Sequence, residues 1–382
     1  MRLFRKAKVY IEGVGIKMTD LLFDTLTRSY ESSADAEEIK IPSDALVVPA
    51  FIDQHIHGVV GADASDGGGA VRVMAKALPS EGTAYFLPTT MTVGREALLS
   101  AVEAVGRAIG DNDMGAEILG VHLEGPFISN KHVGAQNPDH VRVPDIGLLQ
   151  ELIDASGGNI KMMTVAPELD GADKLIQYAK EHAIKVSIGH TDATYSEVEH
   201  AGRLGADCIT HTFNAQRALH HREAGTVGAA LMMYGMYAEL IADCIHVSVP
   251  AMKLLLKCKP EDKLILVTDS IRAKNLSGGE SELGGQKVTV RGGEARLSDG
   301  TLAGSVLKMN DAVKNLVIRC GASITQAVDC ASANVAKHLG LFDEMGGIKI
   351  GKRASYTVLD KNFDCVMTIR DGKTIYDRNA EA

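Results

Sequence analysis

The chain has 382 residues, 45% of them hydrophobic, enough for one large domain with a smaller companion and too apolar for an intrinsically disordered protein. Aromatics are scarce (4%, no Trp), so the core must rest on Val, Ile, Leu, Met and Ala. A formal net charge of -9 argues against the broad basic face that nucleic acid or an anionic membrane would require, while leaving room for a small local anion site.

Taken in chain order, the basic stretch 1–10 is followed by no apolar signal core, and no run approaches the roughly 18 apolar residues of a membrane span. The six cysteines (Cys208, Cys244, Cys258, Cys320, Cys330, Cys365) form no CxxC pair and read as reduced thiols. A cytoplasmic location is therefore expected. Residues 1–48 and 345–382 hold short strand-like pieces with turns at Glu12-Gly13 and around Asp371-Gly372, which predicts a small β-sandwich domain assembled from both termini.

Residues 49–344 make the larger domain. Apolar runs at 45–54, 83–90, 118–126, 161–167, 185–191, 208–214, 238–243 and 264–270 show little polar alternation, as in parallel strands buried on both faces. Helical periodicity fills the intervals. Leu98, Ala101, Val102, Val105 and Ile109 share one face, and 173–183 and 197–204 repeat the arrangement. Eight such units predict an α/β fold, a (β/α)8 TIM barrel with its site at the C-terminal strand ends. A doubly wound open sheet is the alternative, but no Gly-rich dinucleotide fingerprint opens the first unit. The Gly/Ser-rich stretch 272–301, with one alternating run at 287–290, reads as a hairpin insertion, and helices at 305–319 and 325–339 complete the wall.

Polar residues cluster where these runs end. His55 and His57 are spaced by two, which places both imidazoles on one face of a strand and lets them approach one ion. Glu124 lies in a run too apolar for an unpartnered carboxylate, so it binds an ion, bridges two, or sits in a buried ion pair. His122 points to the same face, with an orienting or structural role equally open. His190 and His211 end neighbouring strands and, with Glu124, supply an N/O donor set suited to Zn2+, Fe2+ or another divalent ion. Asp269 can move a proton between an attacking water and a leaving nitrogen, or cap a helix together with Ser270. Arg222, beside His220 and His221, suits phosphate, or is an exposed helix charge. His246 follows Asp243 and could hydrogen-bond hydroxyls, while Leu302, Ala303 and Gly304 offer bare backbone N–H groups ahead of a helix.

The segments FIDQHIHG, LEGPF, GAQNP, GHTDATY, THTFNA, HHREAG, ADCIH, VTDS, LAGSVLKMNDAV and ASANVAKHLGL, in this order, closely resemble the N-acetylglucosamine-6-phosphate deacetylase family of the amidohydrolase superfamily. The resemblance implies metal ligation by Glu124, His190 and His211, with His55 and His57 at a second position, so one or two divalent ions per subunit, Zn2+ foremost. It implies general acid/base work for Asp269. Substrate contacts carry over to Ala135, Gln136, Asn214, Ala215, Arg222, His246 and the turn Leu302, Ala303, Gly304. Arg222 would reach the phosphate in the neighbouring subunit of a homodimer. The implied reaction is hydrolysis of the acetamide of an amino-sugar phosphate. Departures stand at Gln136, where many members have His, and at Thr212, Gln216 and Ser270; Pro49-Ala50 and Ala354-Ser355-Tyr356 also differ. Rival readings are an amidohydrolase for another N-acetyl hexosamine phosphate or an N-acyl amino acid, and a non-enzymatic sugar-phosphate sensor.

Overall fold

A computed structural model describes residues 1–67, 69–110 and 115–380. Eight strands, Phe51–Ile56, Thr83–Thr90, Val121–Glu124, Ile160–Val165, Lys185–Ile188, Cys208–Ile209, Tyr237–Leu240 and Leu264–Leu266, pair in sequence order, every pair parallel. The circle is drawn shut beyond the strand ends. There the Asp269 amide donates to the His55 carbonyl at 2.8 Å, and the His57 amide donates to the Ser270 carbonyl at 2.9 Å. This is the expected (β/α)8 barrel, with its polar strand ends gathered at one mouth.

The helices form where apolar residues recur on one face. Arg95–Ala108 buries Leu98, Ala101, Val102 and Val105 against the barrel. Tyr195–Leu204 starts at a capping box in which Thr194 and Glu197 each satisfy the other's backbone amide. Two expected elements are subdivided. The helix expected at 325–339 breaks at Ser332, whose backbone leaves the helical region, into Ile324–Ala331 and Ala333–Leu339. The helix expected at 305–319 is regular only over Met309–Asn315 and continues as a wider π turn over Leu316–Cys320.

The apolar run 45–54 divides between two sheets. Leu46–Pro49 lies between the N-terminal strand Arg2–Ile11 and the C-terminal strand Tyr356–Leu359, whereas Phe51–Ile56 opens the barrel. The terminal sheet has eight strands drawn from both chain ends. Phe23 and Tyr356 are three strands apart in it, which is roughly 14 Å in a flat sheet. Their ring centroids are 5.1 Å apart, so the sheet curls over a core of Phe4, Phe23, Val47 and Tyr356. The insertion after the eighth strand is a three-stranded meander, Gly279–Leu283, Gln286–Arg291 and Glu294–Arg296, with a small core of its own that includes Leu283, Val288 and Ala303. All six cysteines are free thiols, and no helix among the described residues is long and apolar enough to cross a membrane.

Candidate metal centre

Six side chains from five strand ends converge at the barrel mouth in two groups of possible ligands: Glu124, His190 and His211, and His55, His57 and Asp269. Within each group the donor atoms lie within 4.8 Å of one another. Glu124 stands between the groups. Its Oε1 is 3.2 Å from His190 Nε2, 3.1 Å from His211 Nε2 and 3.3 Å from His55 Nε2, while its Oε2 is 3.2 Å from His57 Nε2. Asp269 Oδ1 lies 3.1 Å from His57 Nε2 and 3.5 Å from His55 Nε2.

The donor chemistry fits a cation. His190 Nδ1 donates to the His132 carbonyl (3.0 Å) and His57 Nδ1 to that of Thr89 (3.1 Å), so both rings present Nε2 as a lone pair. His55 Nδ1 faces Glu239 at 3.0 Å, and its buried Nε2 has no hydrogen-bond partner. The His190 and His211 Nε2 atoms face each other at 3.1 Å. The His190 and His57 lone pairs converging on the Glu124 carboxylate are acceptors facing acceptors, which a divalent cation reconciles.

The clustered groups also shift one another's titration. Burial alone would raise the Glu124 carboxyl, but His55 and His190 hold it well below the ordinary range. Asp269 is likewise buried, and His55 and His57 bring it down to about 2. Burial opposes charge on His55, yet Glu124, Asp269 and Glu239 raise it well above the usual value. His122 is different. Burial and the nearby His55 push it down to about 3, and it hydrogen-bonds Thr164 Oγ1 at 2.8 Å and the Gln54 carbonyl at 3.1 Å, so it is a neutral packing residue outside both groups.

The backbone is strained at three of these residues. His190, His211 and Asp269 adopt positive φ of 48°, 27° and 47°, in the region that favours glycine. Neighbours over-determine these conformations: Ser129 N donates to His190 O, His211 N to the Glu239 carboxylate, and Ser305 N to Asp269 O. Gly304 follows with φ +57°, and a Cβ there would lie 2.6 Å from Ile271 Cγ2 and 2.9 Å from the Asp269 carbonyl. No helix begins at Asp269 or Ser270, which removes the capping alternative; Ser270 Oγ donates to the Gly58 carbonyl instead.

A cavity of about 350 Å3 opens above the two groups. His57, Glu124, His190, His211 and Asp269 form its floor. Ala135, Gln136, Asn214 and Ala215 line it, as do His246, Leu302 and Gly304. Gln136 Nε2 donates to Glu124 Oε2 at 2.6 Å while its Oε1 accepts from Thr92 N, so the glutamine holds the carboxylate in place. His246 Nδ1 donates to Asp243 at 2.6 Å, which leaves Nε2 for the cavity. Ala303 turns its side chain into the core of the insertion, and His55 lies beneath the floor. Arg222 is exposed, beside His221 in a turn before helix Gly225–Met232 rather than on it, and does not line the cavity. Gln216 bonds the backbone of Thr210 and Phe213, a structural use for that departure. A wider groove of about 970 Å3 lies between the insertion and the terminal sheet but contains none of these ligands.

The profile of the amidohydrolase family matches residues 46–375, nearly the whole chain. The chain belongs to the amidohydrolase family. It is 41% identical over 367 residues to N-acetylglucosamine-6-phosphate deacetylase of Bacillus subtilis, covering 94% of this chain and 92% of that one. It is 36% identical over 316 residues to N-acetylgalactosamine-6-phosphate deacetylase of Escherichia coli O157:H7, covering 82% and 84%. Among solved structures it is similar to N-acetylglucosamine-6-phosphate deacetylase from Thermotoga maritima, with a TM-score of 0.89 and 35% identity over 98% of this chain and 99% of that one.

Two features of this amidohydrolase escaped the reading of its sequence. Glu239, fully buried in the seventh barrel strand, backs His55; a carboxylate inside the apolar run YAEL was the available signal. Arg296 and Thr301 line the cavity from the insertion, and nothing in the alternating pattern there shows that it folds over the barrel mouth.

Proposed function

We propose that this amidohydrolase hydrolyses the acetamide of N-acetylglucosamine 6-phosphate to glucosamine 6-phosphate and acetate. The observation that carries the reading is the convergence of Glu124, His190, His211 and Asp269 on the floor of one sugar-sized cavity, in a chain whose similar relatives bear that activity in their names. Glu124, His190 and His211 would hold one divalent ion. His55 and His57, with Asp269 beside them, would hold a second. Zn2+ suits this donor set, with Fe2+ or another divalent ion as the alternative. Bound there, the ion supplies Lewis acidity and lowers the pKa of water. Asp269 takes the proton from the attacking water and returns it to the leaving nitrogen, so one carboxylate serves as base and then acid. Gln136 keeps Glu124 from rotating, and Asp243 holds the His246 ring toward the carbonyl oxygen of the amide. Asn214, Ala215 and the Leu302–Gly304 backbone grip the sugar.

Arg222 is assigned to the 6-phosphate of the neighbouring subunit's site in a homodimer. Its exposure and its position outside its own cavity support that reading. Arg296 is a cation of the same chain at the cavity wall, a second candidate for the phosphate. A cytoplasmic location agrees with six free thiols. The galactosamine epimer is the second reading, favoured by the Escherichia coli relative. Acetate release from the 6-phosphates of N-acetylglucosamine and N-acetylgalactosamine, and from unphosphorylated N-acetylglucosamine, decides among these. Preference for the first substrate is expected; no release from any of them ends the deacetylase reading.

A further inference from the structure

Glu239 is reached from the far side by a buried chain of polar groups that the chemistry above does not use. Its Oε2 accepts from His55 Nδ1 at 3.0 Å and from the His211 amide at 3.2 Å, while its Oε1 accepts from Gln54 Nε2 at 2.7 Å. Gln54 Oε1 in turn faces His338 Nδ1 at 2.9 Å, and His338 Nε2 faces Asp207 Oδ1 at 3.2 Å. His55, Gln54, Glu239 and His338 are all 0% exposed, and only Asp207 reaches solvent. His338 sits on helix Ala333–Leu339, whose other buried positions are mostly small or apolar, where a histidine is costly unless both ring nitrogens are engaged.

The amide of Gln54 has one orientation that serves both neighbours. Its NH2 must meet the Glu239 carboxylate, so its oxygen must meet a donor, and His338 Nδ1–H is that donor. Glu239 held in this way keeps the His55 proton on Nδ1 and turns the Nε2 lone pair toward Asp269 and Glu124. The consequence is asymmetric. Glu239 touches the side chain of His55 but only the backbone amide of His211, so the chain of bonds bears more directly on the first ligand group than on the second.

We infer that His338 is a positioning residue for the metal position at His55, His57 and Asp269, acting through Gln54 and Glu239 across the barrel wall. The inference rests on the reading that this group holds an ion. The test uses full-length protein loaded with Zn2+, dialysed against graded chelator, with ions per chain counted by plasma mass spectrometry. His338→Leu is expected to weaken one of two ions tenfold or more and to weaken the other markedly less. His338→Gln, whose NH2 can still donate to Gln54, is expected to restore most of the loss, which a role in packing alone would not produce. Retention of both ions at wild-type strength, or equal loss of both, overturns the inference. If His338→Leu does not fold, Gln54→Met decides by the same measurement: selective loss supports the relay, and no loss or equal loss overturns it. A wild-type chain that holds a single ion also overturns it, while leaving the deacetylase reading to the separate acetate assay.

Discussion

Lys274 and Glu81 form an ion pair with both side chains fully buried, Nζ to Oε1 at 2.7 Å, tying the segment after the eighth strand to the turn before the second. At that separation the gross attraction is about 6 kcal/mol with an effective dielectric near 20. Desolvation of both ions offsets much of it, so the pair as a whole adds little net stability. Removing one partner is another matter. Lys308 and the Met309 amide also favour the Glu81 carboxylate, but Lys274→Met removes the cation paired with it in the core, at an expected loss of about 3–5 kcal/mol. Burial already raises the Glu81 pKa, with Lys274 holding it down. In the variant it rises further. A carboxyl with a raised folded-state pKa costs stability once pH passes its unfolded value, so the loss should be large at pH 8 and shrink as pH falls toward 5. Urea unfolding followed by circular dichroism measures this in a chain without Trp. The double variant Lys274→Met/Glu81→Gln should recover most of the loss. A single-variant loss below about 1 kcal/mol at pH 8, or one that does not change with pH, would refute the reasoning.

Asp269→Asn should lower kcat roughly a hundredfold or more while the ion at Glu124, His190 and His211 stays bound; near-normal turnover would place the proton carrier elsewhere. Chelation should abolish activity and divalent ions restore it; His190→Asn or His211→Asn should strongly weaken the ion held with Glu124, whereas loss of His55 and His57 together should weaken the second, and equal loss from both sets would contradict two separate positions. Gly304→Ala forces a Cβ against the Asp269 carbonyl at positive φ, and should cost roughly 1–3 kcal/mol and lower kcat more than it raises KM. Lys259, whose ammonium donates to the Ala230 and Met233 carbonyls, is pushed down by burial from 10.5 to about 8. Below pH 8 both folded and unfolded states carry the proton and the full cost of burial is present. Stability should therefore rise by about 3 kcal/mol between pH 8 and 10.5 relative to Lys259→Met, and parallel pH profiles would contradict the assignment.

The barrel was legible because each strand is a short apolar run that stops at a polar group, and the candidate ligands were legible because they stand at those stops. His55 and His57, Glu124, His190, His211 and Asp269 each break an apolar pattern locally. What was not legible depends on partners remote in sequence. Gln54 and His338 are 284 positions apart, and neither departs from the pattern of its own element in a way that names the other. The run 45–54 looked like one strand because hydrophobicity reports burial and not which sheet supplies it. Only the pairing of Leu46–Pro49 with Tyr356–Leu359 divides it. The helix at 325–339 kept its periodicity across Ser332, so the break there carried no signal beyond a serine, whose hydroxyl donates to the Val328 carbonyl one turn back.

The position of Leu46–Pro49 between the two chain ends bears on how the protein is made. On a ribosome, the segment leading into the first barrel strand has only its N-terminal neighbour available until nearly the whole chain has been synthesised. Its other edge, with Val47, Val48 and Pro49 ready to pair, stays open throughout elongation, and open strand edges are where nascent chains associate wrongly. Truncating the last strands would therefore do more than shorten a peripheral sheet. It would make that temporary edge permanent, one residue before the strand that carries His55.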